Sequence, residues 1–107
     1  HLLNSLQELN FWKCWKLQRL PAGLTKLASL KILHIWGCPA IQLLSKDGLP
    51  SSLQELEIRD CPAIKSLPKD GLTSSLWKLE VFNGISEELK GKCRKLKGII
   101  PIIKGYN

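Results

Sequence analysis

The sequence predicts an α/β repeat protein in which one short strand per repeat joins a curved parallel sheet. Two observations carry this prediction. Sixteen residues from Cys38 to Leu53 recur almost unchanged from Cys61 to Leu76, 23 positions later. The pattern L-x-x-L-x-[FIV]-x-x-C-x-x-[LI]-x-x-L extends over about three and a half units, whose first leucines, Leu6, Leu30, Leu53 and Leu76, are 24, 23 and 23 residues apart. A chance amphipathic helix would not keep register over such a period.

In the centre of each unit apolar residues alternate with other residues, which is typical of a strand with one buried face. One such strand is too short to be stable alone, so it is expected to pair with the strand of the next unit. About four strands are therefore predicted, in units that begin near residues 5, 29, 52 and 75. This pattern, with this period, is that of leucine-rich repeats, and we expect a leucine-rich-repeat solenoid.

The segment that returns from one strand to the next contains the phrases LPAGL and LPKDGL. Proline and glycine favour turns, so loops or short 3₁₀ turns are predicted on the convex side rather than long helices. Residues 1–85 are assigned to the repeats and residues 86–107 to a basic C-terminal cap or tail. In that tail Ser86 is predicted to cap a short helix, from which Leu89, Cys93 and Leu96 would cover the last unit.

The net charge of +7 belongs to the tail. Residues 1–89 hold ten Lys and Arg against nine Asp and Glu, whereas residues 90–107 hold six basic residues and no acidic one. A basic patch for an acidic protein, a phosphate or a nucleic acid is the alternative to a simple cap. Nucleic acid is disfavoured because Tyr106 is the only aromatic residue there that could stack on a base. The apolar stretch 98–103 contains Pro101 and is too short to span a membrane.

The four cysteines are predicted to be reduced and structural. Cys14, Cys38 and Cys61 occupy the ninth position of successive units, Gly84 takes that position in the fourth unit, and Cys93 lies in the tail. A cysteine at this position is expected to turn inward and satisfy backbone groups of the loop. No Cys-x-x-Cys pair and no G-x-x-x-x-G-K-[ST] phosphate loop occurs, so neither a metal nor a cofactor is predicted.

The residues beside each strand leucine are predicted to face outward on the concave side and to bind a protein. The seventh position of the units is the informative one, because aromatic residues and arginine dominate interface hot spots. Packing of these side chains on one another and on Arg59 is the alternative. His34 beside Glu57 has no evident nucleophile, so a non-catalytic protein is predicted. The predicted protein-binding residues are Trp12, Trp36, Arg59, Phe82, His34, Glu57, Glu80 and Trp77.

Three phrases carry a resemblance to a known family: CP-x-[LI]-x-x-L-P, the GLPSSL linker between units, and a closing Cys-containing basic segment that ends in IP-x-I. With them the chain resembles the C-terminal leucine-rich repeats of plant nucleotide-binding leucine-rich-repeat (NLR) disease-resistance proteins of the coiled-coil type. The resemblance covers nearly the whole chain. Trp15 in place of Pro39 and Pro62, Ser45 in place of a proline, and Gly84 in place of a cysteine depart from the pattern.

The resemblance implies a piece of an intracellular immune receptor, in the cytoplasm or shared between cytoplasm and nucleus. Its partner would be a pathogen effector, a guarded host protein, or the receptor's own nucleotide-binding and coiled-coil domains. A leucine-rich-repeat ectodomain of a secreted or receptor-type protein, binding a peptide or protein, is the alternative. Self-association is also expected, because the first unit lacks a cap and its sheet edge is open to another copy.

Overall fold

Five strands form one sheet whose strand order follows the chain from β1 to β5, and every neighbouring pair is parallel. The structure is a computed structural model that describes residues 5–42, 44, 49–67 and 75–105. The strands are β1 (Glu8–Trp12), β2 (Ile32–Trp36), β3 (Glu55–Arg59), β4 (Lys78–Phe82) and β5 (Ile102–Lys104); a 3₁₀ helix spans Ala22–Lys26 and helix α1 spans Glu87–Lys95.

The register of the sheet repeats the spacing of the sequence pattern. Glu8 pairs with Ile32, Ile32 with Glu55, and Glu55 with Lys78, which are steps of 24, 23 and 23 residues. Equivalent residues of successive units therefore lie side by side. The α/β class and a parallel sheet with one strand for each of the four units agree with the prediction.

The inward-facing strand residues and the apolar residues of the return segments form a single core. Leu33, Ile35, Leu56, Ile58 and Leu79 have no more than 1% of their surface exposed. Each such side chain contributes roughly 1.5–3 kcal/mol relative to an exposed one. The first unit is less well covered, since its ladder residues Leu6, Leu9, Phe11, Cys14 and Leu17 are only partly buried.

The fifth strand was not predicted. Lys78 pairs with Ile102, a step of 24 residues, so the C-terminal segment adds to the sheet at the spacing of the repeats. Ile100 and Ile103 stand 24 residues after Leu76 and Leu79, and Ile100 is buried. The segment 86–107 therefore contributes a strand as well as a cap, and the sheet continues across the predicted boundary at residue 85.

Helix α1 begins where the sequence predicts it. The hydroxyl of Ser86 accepts a hydrogen bond from the backbone N–H of Leu89 at 3.1 Å, and it donates to the carbonyl of Ile64 at 2.8 Å. Leu89 and Cys93 are fully buried, and Leu96 packs against the same core. Ser86 thus caps the helix and ties it to the preceding unit.

The return segments differ along the chain. The first contains the 3₁₀ helix Ala22–Lys26, in agreement with the predicted short turns. The predicted turn residues at 45–48 and 68–74, including Ser45, lie outside the described residues. In the described part of the chain no helix is long and apolar enough to cross a bilayer.

Candidate functional site

One face of the sheet is accessible while the other packs into the core. Along β2, β3 and β4 the exposure alternates strictly, with half-buried first, third and fifth residues and buried second and fourth residues. We call the accessible side the exposed sheet face. Because the register is constant, its residues form three columns across the strands.

Seven of the eight predicted binding residues lie on this face. The first column, the aromatic column, contains Trp12, Trp36, Arg59 and Phe82; the second contains Asn10, His34, Glu57, Glu80 and Lys104; the third contains Glu8, Ile32, Glu55, Lys78 and Ile102. Trp77 lies directly before β4 and outside these columns, with 40% of its surface exposed.

Arg59 sits between two aromatic rings of its own column. Its guanidinium carbon lies 4.9 Å from the centroid of the Trp36 ring and 5.2 Å from that of Phe82. Cation–π contacts of this length hold a flexible side chain in place. Local packing on Arg59, the alternative considered from the sequence, is therefore present in the middle of the column.

The two tryptophans of this column have different surroundings. The ring of Trp36 stacks on His34 at 5.2 Å with an interplanar angle of 10°. Trp12 has 66% of its surface exposed, and its recorded ring contact is with Nζ of its neighbour Lys13 at 5.1 Å. Trp12 therefore presents a large apolar surface to solvent, whereas Trp36 is held between its neighbours.

Charges on β3 and β4 compensate one another. Arg59 Nη2 lies 3.1 Å from Glu57 Oε2, an ion pair without the alignment of a hydrogen bond. Lys78 Nζ lies 3.4 Å from Glu80 and 4.0 Å from Glu55. On β1, by contrast, Glu8 accepts a hydrogen bond from the Asn10 amide at 3.4 Å.

A shallow recess of about 430 Å³ opens at the ends of the strands, beside the aromatic column. Gly37 lies between Lys13 and Asp60 along its wall, and a Cβ atom at Gly37 would come no closer than 3.6 Å to any neighbour. The absence of a side chain there leaves space above Trp36. The residues that line the recess are Trp12, Lys13, Trp36, Gly37, Arg59, Asp60 and Asn83.

The residue after each strand adopts a left-handed backbone conformation, which the sequence analysis did not anticipate. Lys13, Gly37, Asp60 and Asn83 have φ values of 53°, 66°, 56° and 51°. The backbone N–H groups of the first three donate to carbonyls at the end of the next strand, at 2.8–3.0 Å. Asp, Asn and Gly tolerate this region best, and their appearance at the eighth position was the available signal.

The cysteines of the ladder are free thiols that bond to backbone carbonyls. Cys61 Sγ lies 3.4 Å from the carbonyl of Ile35 and 3.3 Å from that of Arg59, and Cys38 makes the equivalent contacts to Phe11 and Trp36. Burial raises the pKa of Cys38 to about 11 and also raises the pKa of Cys61. The predicted inward orientation is confirmed for these two thiols, while Cys14 is only partly buried.

A second ladder was missed. A serine precedes the first leucine of each unit, at Ser5, Ser29, Ser52 and Ser75. Ser52 Oγ donates to the carbonyl of Leu30 at 2.6 Å, and Ser75 Oγ donates to that of Leu53 at 2.8 Å. These side chains join successive units at the start of the strands, as the cysteines do at the end. Their recurrence in the sequence was the signal.

No three His, Cys, Asp or Glu side chains within the described ranges are grouped so as to hold a metal ion. His34 and Glu57 are neighbours in the register of β2 and β3. The imidazole of His34 stacks on Trp36, and Glu57 pairs with Arg59. The arrangement is thus one of packed and ion-paired side chains on an open face. In comparisons with known proteins, no family model, no curated protein and no solved structure matches this chain.

Proposed function

We propose that this chain is a non-catalytic protein-recognition module of the leucine-rich-repeat type, with the exposed sheet face as its concave binding surface. The observation that carries the proposal is the aromatic column. Trp12, Trp36 and Phe82 stand in register with Arg59 on an accessible face. Tryptophan and arginine are the residue types most enriched in interface hot spots.

The solenoid assignment is supported by the regular spacing of the sheet. Steps of 24, 23, 23 and 24 residues connect paired strands from β1 to β5. Units that contact only their neighbours and repeat one register are typical of solenoids, which use their extended faces for binding. The serine and cysteine ladders recur at the same spacing.

A partner's main apolar contacts are expected on β1 and β2. Trp12, Ile32, His34 and Trp36 bring rings and an aliphatic side chain to this part of the face. Covering these side chains removes apolar surface from water at little electrostatic cost. Covering β3 and β4 would instead desolvate the ion pairs of Arg59 and Lys78, which rarely yields a net gain.

The receptor context follows from the resemblance to the C-terminal repeats of plant NLR disease-resistance proteins. In that context the module lies in the cytoplasm, or in cytoplasm and nucleus, and recognises a pathogen effector or a guarded host protein. Contact with the receptor's own nucleotide-binding or coiled-coil domain would restrain the receptor. The chain itself contains no phosphate-loop motif, so recognition rather than nucleotide binding is its proposed part.

A binding experiment with matched tryptophan variants tests the proposal. The chain is immobilised and offered candidate effectors and the receptor's nucleotide-binding module. The combined Trp12→Ala, Trp36→Ala and Phe82→Ala variant is expected to lose at least about 30-fold in affinity, as for hot-spot residues. Trp15→Ala is the control, because Trp15 is 64% exposed but lies outside the strand columns.

Circular dichroism checks that each variant retains the fold. Unchanged partner binding by a folded triple variant would contradict the proposed surface. An equal loss in the Trp15→Ala variant would place the contact on the first return segment instead.

The secreted ectodomain remains the second candidate for the setting of the same surface. The four cysteines are free in the structure, and Cys38 and Cys61 bond to carbonyls rather than to each other. A count of free thiols in the denatured protein, taken from its natural source without reductant, separates the two settings. Four thiols support the intracellular receptor, and any disulfide supports the ectodomain.

We also propose self-association through the first unit. The outer edge of β1 has no neighbouring strand among the described residues, and Phe11, Cys14, Trp15 and Leu17 line an open apolar cavity of about 620 Å³ beside it. Light scattering over a concentration series should show dimers that a Phe11→Asp substitution abolishes. A monomer at every concentration would contradict this proposal without affecting the binding face.

A further inference from the structure

The C-terminal segment carries a basic surface that the proposed protein-binding function does not use. Helix α1 turns Leu89 and Cys93 inward, where both are fully buried. The outward residues Lys92, Arg94 and Lys95 are exposed, and so is Lys97 directly after the helix. These four residues, together with Ile99, are called the basic patch below.

The acidic residues of α1 are engaged away from this patch. Glu87 pairs with Lys90 at 3.1 Å, within the first turn of the helix. Glu88 pairs across to Lys65 at 3.8 Å. No acidic residue occurs after Glu88 in the chain, so the positive potential of the patch is not compensated by its own segment.

An apolar side chain projects beside these charges. Ile99 has 72% of its surface exposed, the largest fraction for any large hydrophobic residue in the described part of the chain. It follows Gly98, whose φ of 89° turns the chain after the helix. The backbone N–H groups of Ile99 and Ile100 both donate to the carbonyl of Leu96, at 2.9 and 3.0 Å, so this turn is held in place.

We propose that the basic patch docks on an anionic lipid surface. The ammonium and guanidinium groups would donate hydrogen bonds to phosphate and carboxylate oxygens of the headgroups, and Ile99 would enter the interfacial region. Clusters of four or more Lys and Arg on one side of a helix favour anionic lipids, and an adjacent apolar side chain strengthens such binding.

The exposed isoleucine favours a lipid surface over a nucleic acid. Proteins that bind single strands place aromatic rings against the bases, and no aromatic side chain lies in the patch. An aliphatic side chain among phosphates gains nothing, whereas at a bilayer it leaves water. The two ligand classes therefore differ in the role they give to Ile99.

The energetics predict reversible, salt-sensitive binding. Each basic residue at an anionic surface strengthens binding by about five-fold. Neutralising Lys92, Arg94 and Lys95 together should therefore weaken binding on the order of 100-fold. The attraction is screened as the Debye length falls to about 3 Å at 1 M salt. Replacing Ile99 by serine keeps the charge and should weaken binding roughly ten-fold.

Co-sedimentation of the full chain with lipid vesicles tests the proposal. The chain is expected to sediment with vesicles of phosphatidylcholine and phosphatidylserine, and to stay in solution with phosphatidylcholine alone. The combined Lys92→Gln, Arg94→Gln and Lys95→Gln variant should lose this binding. Glutamine is a good helix former, and circular dichroism confirms that α1 persists.

A second triple variant keeps the test specific. Lys16→Gln, Lys26→Gln and Lys31→Gln remove the same charge from exposed positions in the first two units, and this variant should bind as the unaltered chain does. Equal losses in both triple variants would overturn the patch and leave only a net-charge effect. No sedimentation of the unaltered chain, or unchanged binding of Ile99→Ser, would overturn lipid docking. Tighter binding to single-stranded RNA than to vesicles would reassign the patch to nucleic acid.

Discussion

The first and third units of the sheet follow the same sequence pattern but are buried to different extents. Leu56, Ile58 and Cys61 of the third unit have at most 1% of their surface exposed. Their counterparts in the first unit, Leu9, Phe11 and Cys14, are only partly buried. The difference arises because the third unit has a strand on each side, whereas β1 has one neighbour among the described strands.

The exposed sheet face differs in the same way. On β3, Arg59 is held by Trp36, Phe82 and Glu57 together. On β1, Trp12 has a single recorded contact, with the adjacent Lys13. Position in the stack therefore decides what a repeated residue does: the same column is internally satisfied in the middle and open to solvent at the first strand.

The largest expected difference between the two units is the cost of a cavity. Leu9 and Leu56 occupy the same register position and are each changed to alanine. Leu56→Ala should lower the free energy of unfolding by about 2–5 kcal/mol, because a fully buried leucine leaves a cavity. Leu9→Ala should cost roughly half as much, since part of that side chain already contacts water. Urea denaturation measures both, and equal costs would contradict the comparison.

Thiol labelling sharpens the comparison at the ends of the strands. Cys14 is partly exposed and should react with an alkylating reagent in the native state. Cys38 and Cys61 react only when the structure opens, which slows them by about 100-fold for an opening free energy of about 3 kcal/mol. Mass spectrometry of a labelling time course locates the modified residues. Simultaneous labelling of Cys14 and Cys61 would show that the units open together.

The buried thiols also predict a loss of stability at alkaline pH. Burial raises the pKa of Cys38 and of Cys93 from 9.0 to about 11 in the folded chain. Between these values the unfolded chain releases protons that the folded chain retains, so stability is complete below about pH 9 and falls as the pH rises towards 11. Melting temperatures from pH 8 to 11 measure this loss.

A Cys38→Ala variant should show a smaller alkaline decrease than the unaltered chain. The profile of a Cys14→Ala variant, in which a partly exposed thiol of the same ladder is removed, is the control. An identical decrease in all three proteins would assign the effect to other groups.

The smallest expected effect is on the exposed sheet face. Arg59→Ala should lower the free energy of unfolding by about 1 kcal/mol, because partly exposed cation–π contacts and ion pairs are each worth less than that. Arg59→Lys keeps the charge but loses the planar group that lies between the two rings. Thermal unfolding compares the variants with Lys13→Ala on the first unit, for which a smaller change is expected. A larger effect of Lys13→Ala would reverse the comparison.

Much of the sheet could be predicted because strand pairing and burial follow directly from spacing. The four strand centres, the three columns and the Ser86 cap all derive from local patterns. The placement of Arg59 between Trp36 and Phe82 could not be predicted, because it depends on side-chain rotamers across three strands. Strand β5 was missed because Pro101 and a short apolar run obscured the repeat, although Ile100 and Ile103 keep its spacing.

The connections between paired strands have nearly constant length. Residues 13–31, 37–54, 60–77 and 83–101 join them, which is 19, 18, 18 and 19 residues. The first connection contains a 3₁₀ helix and the last contains α1. A loop and a helix can thus serve as equivalent connections when the number of residues is kept. This makes the connections exchangeable parts: residues 83–101 could be transplanted between two inner strands to give the stack a second helix, without altering the register of the sheet.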